Sequence, residues 1–363
     1  MVTDTCHNAV MPTRHAAPAH PWIDGHVDLA YIALHGRDVE SLPAPGEPRC
    51  VSVPAMRTGR VRLILATIFV ERGPEGLGRP WGYDAQAPDT ARDAAVRQLE
   101  WYEALERRGV AQIVRTREDL ERVFSAGGDA PIGLVLLMEG ADPIRSAADV
   151  AFWHSRGVRA VGLTWALGSR WAGGNSTGGP LAEGAEEVIR ALDACGIIHD
   201  ASHLSDESFE GLVSLTRARI VASHSNARAL LRAPAPPARP DRHLTDRQIR
   251  IIANRGGVIG LNLYGRFLAS GREATLADAV AHVQHVASNA GRAACVLGSD
   301  LDGGFDPAQV PEGLRGPDQL DALTGALASC GWSASERDSF AWRGWHELLR
   351  DALPRAGGPT ARH

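Results

Sequence analysis

The sequence predicts an α/β fold, a (β/α)8 TIM barrel in which parallel strands alternate with helices. Three observations predict it. Short apolar runs recur along the 363 residues and are continuous rather than alternating, as expected of strands covered on both faces. Helical patterns fill the intervals between the runs, which is the order of a parallel sheet. No Gly-rich dinucleotide fingerprint follows the first run, which removes one reason to prefer an open doubly wound sheet.

In order along the chain, residues 1–20 read as a loose leader, and one barrel domain with C-terminal helices is expected over 21–355. The apolar runs lie at 23–27, 62–70, 132–138, 158–164, 197–200, 219–223, 257–263 and 295–299. The first helix candidate, 89–107, takes Asp89 or Thr90 as N-cap and has Val96, Leu99, Tyr102 and Leu105 as its apolar stripe. Further helices are expected at 183–194, 205–215, 245–254 (opened by Thr245 and Asp246) and 275–290. Two more, 318–328 and 333–351, follow the last run. The Pro-rich stretch RAPAPPARPDRH, Arg232 to His243, reads as a stiff surface loop. The Gly- and Pro-rich segment 71–88 reads as a second long loop, a candidate lid.

A formal net charge of -5 argues against nucleic acid or an anionic membrane as partner. No apolar run reaches transmembrane length, and the first twenty residues lack the apolar core of a signal peptide. The five cysteines are scattered and form no CxxC pair, which predicts reduced thiols in a cytoplasmic protein and no thiolate zinc site. Cys195 and Cys295 adjoin apolar runs and read as core fillers.

The runs end in a recurring way. GIIHDASHLSD, Gly196 to Asp206, passes from an apolar run into groups that bind metals or move protons, His203 among them. The run 23–27 leads to His26 and Asp28, two apart and so on one side of an extended strand end. The run 132–138 ends in Glu139, 219–223 in His224, and 295–299 in Asp300, with Asp302 beyond. Each residue alone has an ordinary explanation as a cap or turn former. In a barrel, however, all carboxyl strand ends converge on one face. Imidazole and carboxylate without thiolate suit Zn, and also Mn, Co or Fe. Five ligands exceed the needs of one catalytic zinc. A bridging Glu139 between a His26–Asp28 pair and a His203–His224 pair makes a two-metal site, with Asp300 left to handle a proton.

At these residues the sequence resembles the membrane (renal-type) dipeptidase family, the M19 metallopeptidases of the amidohydrolase superfamily. The similar stretches are IDGHVDL, LLMEG, GVRAVGLTW, HDASHLSDESF, IVASHSNARAL, DRHLTDRQI, GGVIGLN, GSDLDGG and VPEGL, and they span nearly the whole chain. The resemblance implies a metal-dependent hydrolase barrel with two zinc ions, Co or Mn being substitutes. It implies His26 and Asp28 on one ion, His203 and His224 on the other, and Glu139 bridging. Asp300 would be the general base acting on a metal-bridging hydroxide. Arg242 would bind the C-terminal carboxylate of the substrate, with Tyr264 in support. The implied substrates are small dipeptides, including L-Xaa-D-Xaa pairs such as L-Ala-D-Ala.

One position departs from the family. Many relatives carry an oxyanion-stabilising His after LT in the fourth run, where this chain has Trp165. Loss of such a donor costs roughly 10²–10³ in turnover unless another replaces it, and an indole has one N–H to offer. His154 and His243 read as structural, Asp200 as an orienter of His203, and His282 and His285 as outward-facing helix residues. A different amidohydrolase acting on a cyclic amide, lactone or β-lactam is the alternative. A non-catalytic binding barrel is a second, but it predicts eroded ligands, and all six positions are intact. The oligomeric state is left open, a homodimer among the options.

Overall fold

The computed structural model describes residues 20–357 except 45, 74–78, 80, 128–129 and 233–239. The leader, Cys6, most of the Pro-rich stretch and part of the 71–88 segment therefore lie outside the described residues. The apolar runs form strands β1 (Trp22–Val27), β2 (Val61–Phe69), β3 (Ile132–Glu139), β4 (Val158–Gly162), β5 (Ile198–Asp200), β6 (Ile220–Val221), β7 (Ile259–Leu261) and β8 (Cys295–Leu297). Strands β1 to β6 pair in that order, all parallel, and a short strand Ala111–Ile113 adds to β3. Strands β7 and β8 are a parallel pair.

Backbone bonds link the two sets. Gly260 N–H donates to Ala222 O at 2.8 Å and Ala222 N–H to Val258 O at 3.0 Å, between β6 and β7. Asp300 N–H donates to His26 O at 3.2 Å, between the ends of β8 and β1. The buried Asp24 carboxylate adds to that seam, accepting from Ser299 N–H at 2.7 Å and from the Ser299 hydroxyl. The result is a curled parallel sheet with helices on its outer face.

Alternation along each strand explains why the runs are apolar throughout. Leu63, Leu65, Val135, Leu137, Ile198, Val221 and Val296 share an inner core, whereas Ile64, Ala66, Leu134 and Leu136 pack outward in a second core under the helices. Trp345 plugs the inner core from helix Gly344–Ala352, its indole N–H donating to Leu297 O at 2.8 Å. Gly25 makes room for it: an added Cβ would lie 2.6 Å from the Trp345 ring and 2.8 Å from Leu297 O. Apolar side chains thus fill the sheet below its carboxyl ends and leave those ends to polar groups.

The expected helices appear as Thr90–Arg107, Ala185–Ala194, Asp206–Leu215, Asp246–Asn254 and Leu276–Ala290. Capping boxes at Thr245/Gln248 and Thr275/Asp278 start the last two. The expected helix 333–351 runs from Ala334 to Ala352, with a π turn, Ser339–Arg343, set between its α-helical parts Ala334–Asp338 and Gly344–Ala352. The expected helix 318–328 opens as a 3₁₀ turn, Pro317–Gln319, before Asp321–Ser329. Short helices Leu29–Leu34, Val53–Thr58, Arg117–Ser125 and Asp149–Ser155 were not expected.

His282 corrects the outward assignment. It is buried, with Ala227 N–H donating to Nδ1 at 3.1 Å and Nε2 3.2 Å from Leu268 O, and so satisfies loop backbone that the helix would otherwise bury unpaired. His285 is partly exposed and bonds Asp246 at 2.7 Å. Cys295 is buried and Cys195 half-buried, each beside its apolar run. No described helix is long and apolar enough to cross a membrane.

Candidate metal centre

The carboxyl strand ends bring His26, Asp28, Glu139, His203, His224 and Asp300 together, all of them buried. His26 lies within β1 and Asp28 just past it, at the start of helix Leu29–Leu34; Glu139 is the last residue of β3. His203, His224 and Asp300 lie in the turns after β5, β6 and β8. Glu139 sits at the centre. Its Oε1 is 3.0 Å from His203 Nε2 and 3.4 Å from His224 Nε2, while Oε2 is 3.6 Å from His26 Nε2. His26 Nε2 is also 3.6 Å from Asp28 Oδ1 and 3.9 Å from Asp300 Oδ1. His26–Glu139–His224 and His26–Asp28–Asp300 each offer ligand atoms within 4.8 Å of one another.

The surrounding bonds set the histidine tautomers. Ser223 Oγ has one proton, and it goes to the Asp200 carboxylate at 2.6 Å. The serine oxygen therefore accepts at 2.7 Å from His224 Nδ1–H. Likewise His203 Nδ1–H donates to Asn175 Oδ1 at 2.8 Å. Both Nε2 atoms then carry lone pairs, yet they face each other at 3.0 Å, with the Glu139 carboxylate alongside. Converging acceptors with no proton between them call for a cation. A tetrahedral zinc, with Zn–N of about 2.0–2.1 Å, holds two imidazole nitrogens about 3.3 Å apart, close to what is observed. The donor set fits the metal that the sequence implies.

The fixed tautomers carry a testable consequence. Ser223→Ala is expected to weaken metal binding by about 10–100-fold, because it frees the His224 ring to rotate and change tautomer. Competition against a chelator measures this, and an unchanged affinity would remove Ser223 from that role.

The electrostatics carry the same excess of acceptors. Burial disfavours a charged His26, yet the Glu139 and Asp28 carboxylates hold its ring well above the ordinary histidine value. Burial also opposes charge on Glu139, but His26 and His203 hold it far below the usual carboxylate range. Burial, with Arg242 nearby, lowers His203 to about 4, and burial with His26 drives His224 well below the ordinary value. Burial raises Asp300 to about 7, against the pull of His26 and with help from Asp28. The backbone is strained at the same place. Among the described residues, the non-glycine positive-φ positions are Arg60, His203 (φ 68°), Asp300 (φ 60°) and Asp302 (φ 61°).

One sequence assignment changes. Asp200 orients His224 through Ser223, whereas His203 is held by Asn175, so the pairing of Asp200 with His203 is corrected. Asp302 turns away and caps Cys50 N–H at 3.0 Å and Val51 N–H at 2.8 Å. His154 ends helix Asp149–Ser155 and His243 packs edge-on to Phe267. Asn175, Ser223, Asn262 and Thr67 were missed. Asn262 holds Asp300 Oδ2 at 2.8 Å, and Thr67 Oγ1 donates to Asp28. Asn262 and Ser223 show the strand-end signal, as polar residues just past β7 and β6; Asn175 and Thr67 carry none.

A cavity of 540 Å³ opens above the cluster. Arg242 reaches it buried, donating to His224 O at 3.0 Å and Ser225 Oγ at 3.2 Å, with its guanidinium 4.9 Å from the Phe267 ring centroid. Its Nε–H has no partner among the described residues. Tyr264 lines the cavity stacked on Phe305, centroids 4.5 Å apart, and Trp165 lines it 5.2 Å from the Phe69 ring.

The same chain can be set beside known proteins. The family model for membrane dipeptidase, peptidase family M19, matches residues 13–352. A protein of Klebsiella pneumoniae, described as uncharacterized and in the pqqA 5′ region, is 29% identical over 256 residues, covering 67% of this chain and 89% of that protein. The crystal structure of dipeptidase AC, an M19 metallopeptidase, is 25% identical at a TM-score of 0.78, covering 92% of this chain and 99% of that one. A Rhodobacter sphaeroides metallopeptidase, bound to a phosphinate mimic of the dipeptide L-Ala-D-Ala, is 24% identical at a TM-score of 0.77, with the same coverages of 92% and 99%. Since the family match spans residues 13–352, and with them the strands and turns described above, the chain belongs to peptidase family M19 and is a metallo-dipeptidase.

Proposed function

We propose that the chain is a dinuclear zinc dipeptidase that hydrolyses small dipeptides, L-Ala-D-Ala among them, within a closed (β/α)8 barrel over residues 21–355. One observation carries the two-metal reading: the two oxygens of Glu139 face different ligand sets, His203 and His224 on one side and His26 on the other. The barrel reading draws on the inner core shared by alternate residues of successive strands and on the β6–β7 and β8–β1 bonds.

His26 and Asp28 would hold one ion, His203 and His224 the other, and Glu139 both. When bound, the ions supply Lewis-acid polarisation of the scissile carbonyl and a lowered pKa for water. The remaining work belongs to the chain. Asp300 has Oδ2 held by Asn262, which leaves Oδ1 turned to the cluster. It takes a proton from the attacking water and delivers it to the departing amine. Arg242 binds the substrate carboxylate with the donors that its protein bonds leave over, and Tyr264 flanks it. Trp165 offers its indole N–H near the scissile carbonyl.

Two measurements test this. The purified protein is expected to hold two divalent ions per chain, with Zn, Co or Mn supporting activity. It should cleave free dipeptides but not tripeptides or N-blocked peptides. A fully active preparation with one ion per chain would sink the dinuclear reading, and good hydrolysis of tripeptides would sink the substrate reading.

A further inference from the structure

The cavity has a second charged wall that the chemistry above does not use. Glu71 lines it together with Tyr31, Phe69 and Trp165. Glu71 follows β2, whereas Arg242 is bonded to the turn after β6. Three strands lie between β2 and β6 in the curled sheet, so the two residues approach the cavity from opposite sides, with the Glu139 cluster between. Glu71 is half-buried and, among the described residues, forms no ion pair; its side chain accepts from the Tyr31 hydroxyl at 3.0 Å. Its neighbour Arg72 is committed elsewhere, donating to Leu167 O at 3.0 Å and Gly168 O at 3.1 Å. Aromatic rings line the same stretch of the cavity, with the Tyr31 and Phe69 ring centroids 5.1 Å apart and Trp165 5.2 Å from Phe69.

A dipeptide anchored by its carboxylate at Arg242, with its peptide bond over the cluster, extends its amino-terminal residue toward this wall. A carboxylate without an ion pair, in a cavity wall shared with aromatic rings, suits a cation on an apolar stem, through a charge-assisted hydrogen bond and cation–π contact. The 540 Å³ of the cavity also exceeds what two alanyl residues fill. We propose that Glu71 forms a specificity subsite for the side chain of the amino-terminal residue, and that it selects dipeptides whose first residue is basic, arginine or lysine. This rests on the dipeptidase reading and adds the substrate class.

The test is kcat/KM for L-Arg-D-Ala, L-Lys-D-Ala, L-Ala-D-Ala and L-Glu-D-Ala, which share one leaving residue. The wild type is expected to favour the two basic substrates over L-Ala-D-Ala by about tenfold or more. In Glu71→Gln that ratio should fall toward one, in Glu71→Asp it should persist in part, and in Glu71→Lys the preference should move to L-Glu-D-Ala. Metal content, measured for each variant, separates a lost subsite from a damaged centre. A wild-type ratio near one, with L-Ala-D-Ala cleaved, overturns this proposal and spares the dipeptidase reading. An equal loss on all four substrates in Glu71→Gln also overturns it, since that assigns Glu71 to the α-ammonium group. Failure to cleave any of the four overturns both readings.

Discussion

Asp300→Asn is expected to lower kcat by roughly 10²–10⁴-fold while the metal content stays that of the wild type. The replacement is chosen by the local structure. Asp300 sits at φ 60°, a left-handed conformation that Asn tolerates better than other side chains except glycine. An amide oxygen in place of Oδ2 still accepts from Asn262 Nδ2, so the side chain keeps its orientation. What it loses is the basic oxygen facing His26 and Glu139, which burial has raised to about 7. An amide cannot take up the proton of the attacking water. Steady-state kinetics beside metal analysis decide the matter. If the variant loses metal in step with activity, Asp300 is a ligand and the proton-transfer role is wrong.

Arg242→Ala is expected to lower kcat/KM for dipeptides by about 10–100-fold, mostly through KM, because a charge-assisted hydrogen bond is worth ~1.5–3 kcal/mol. The buried guanidinium already donates to His224 O and Ser225 Oγ and stacks on Phe267. These contacts fix its plane before substrate arrives, which favours a flat carboxylate. The bond to His224 O also touches the backbone of a candidate ligand, so metal content must be measured alongside. A dipeptide amide gives the sharper check. The wild type should discriminate strongly against it, and Arg242→Ala should not. Equal discrimination in both proteins would mean that Arg242 does not hold the carboxylate.

The strand ends were legible because burial and chemistry conflict there. An apolar run that ends in Glu139 or His224 breaks its own pattern, and repetition at several strands made the break informative. The surrounding contacts were less legible. Asn175 reaches His203 across 28 positions and Ser223 joins His224 to Asp200, pairings made by the fold and not by spacing. His282 misled because a histidine on an amphipathic helix looks the same in sequence whether it meets water or a loop carbonyl. Helix Arg117–Ser125 had a readable start in the Thr116/Asp119 capping box, but its length of 9 residues gave little periodicity. The π turn inside 333–351 was invisible, because good helix formers lie on both sides of it.

The bonds between Asp24 and Ser299 join residues 275 positions apart. For a chain made from its amino terminus, that distance orders events in time. A nascent chain that has emerged past the turn after β6 already carries His26, Asp28, Glu139, His203 and His224, but neither Asp300 nor the Trp345 plug. Contacts of such separation are slow to form, since a long loop must close before they stabilise anything. With Asp300 in the proposed proton-transfer role, the hydrolytic centre is complete only once the end of β8 has met the end of β1. On that reading, activity would report on the meeting of β8 with β1, 275 positions apart in the chain.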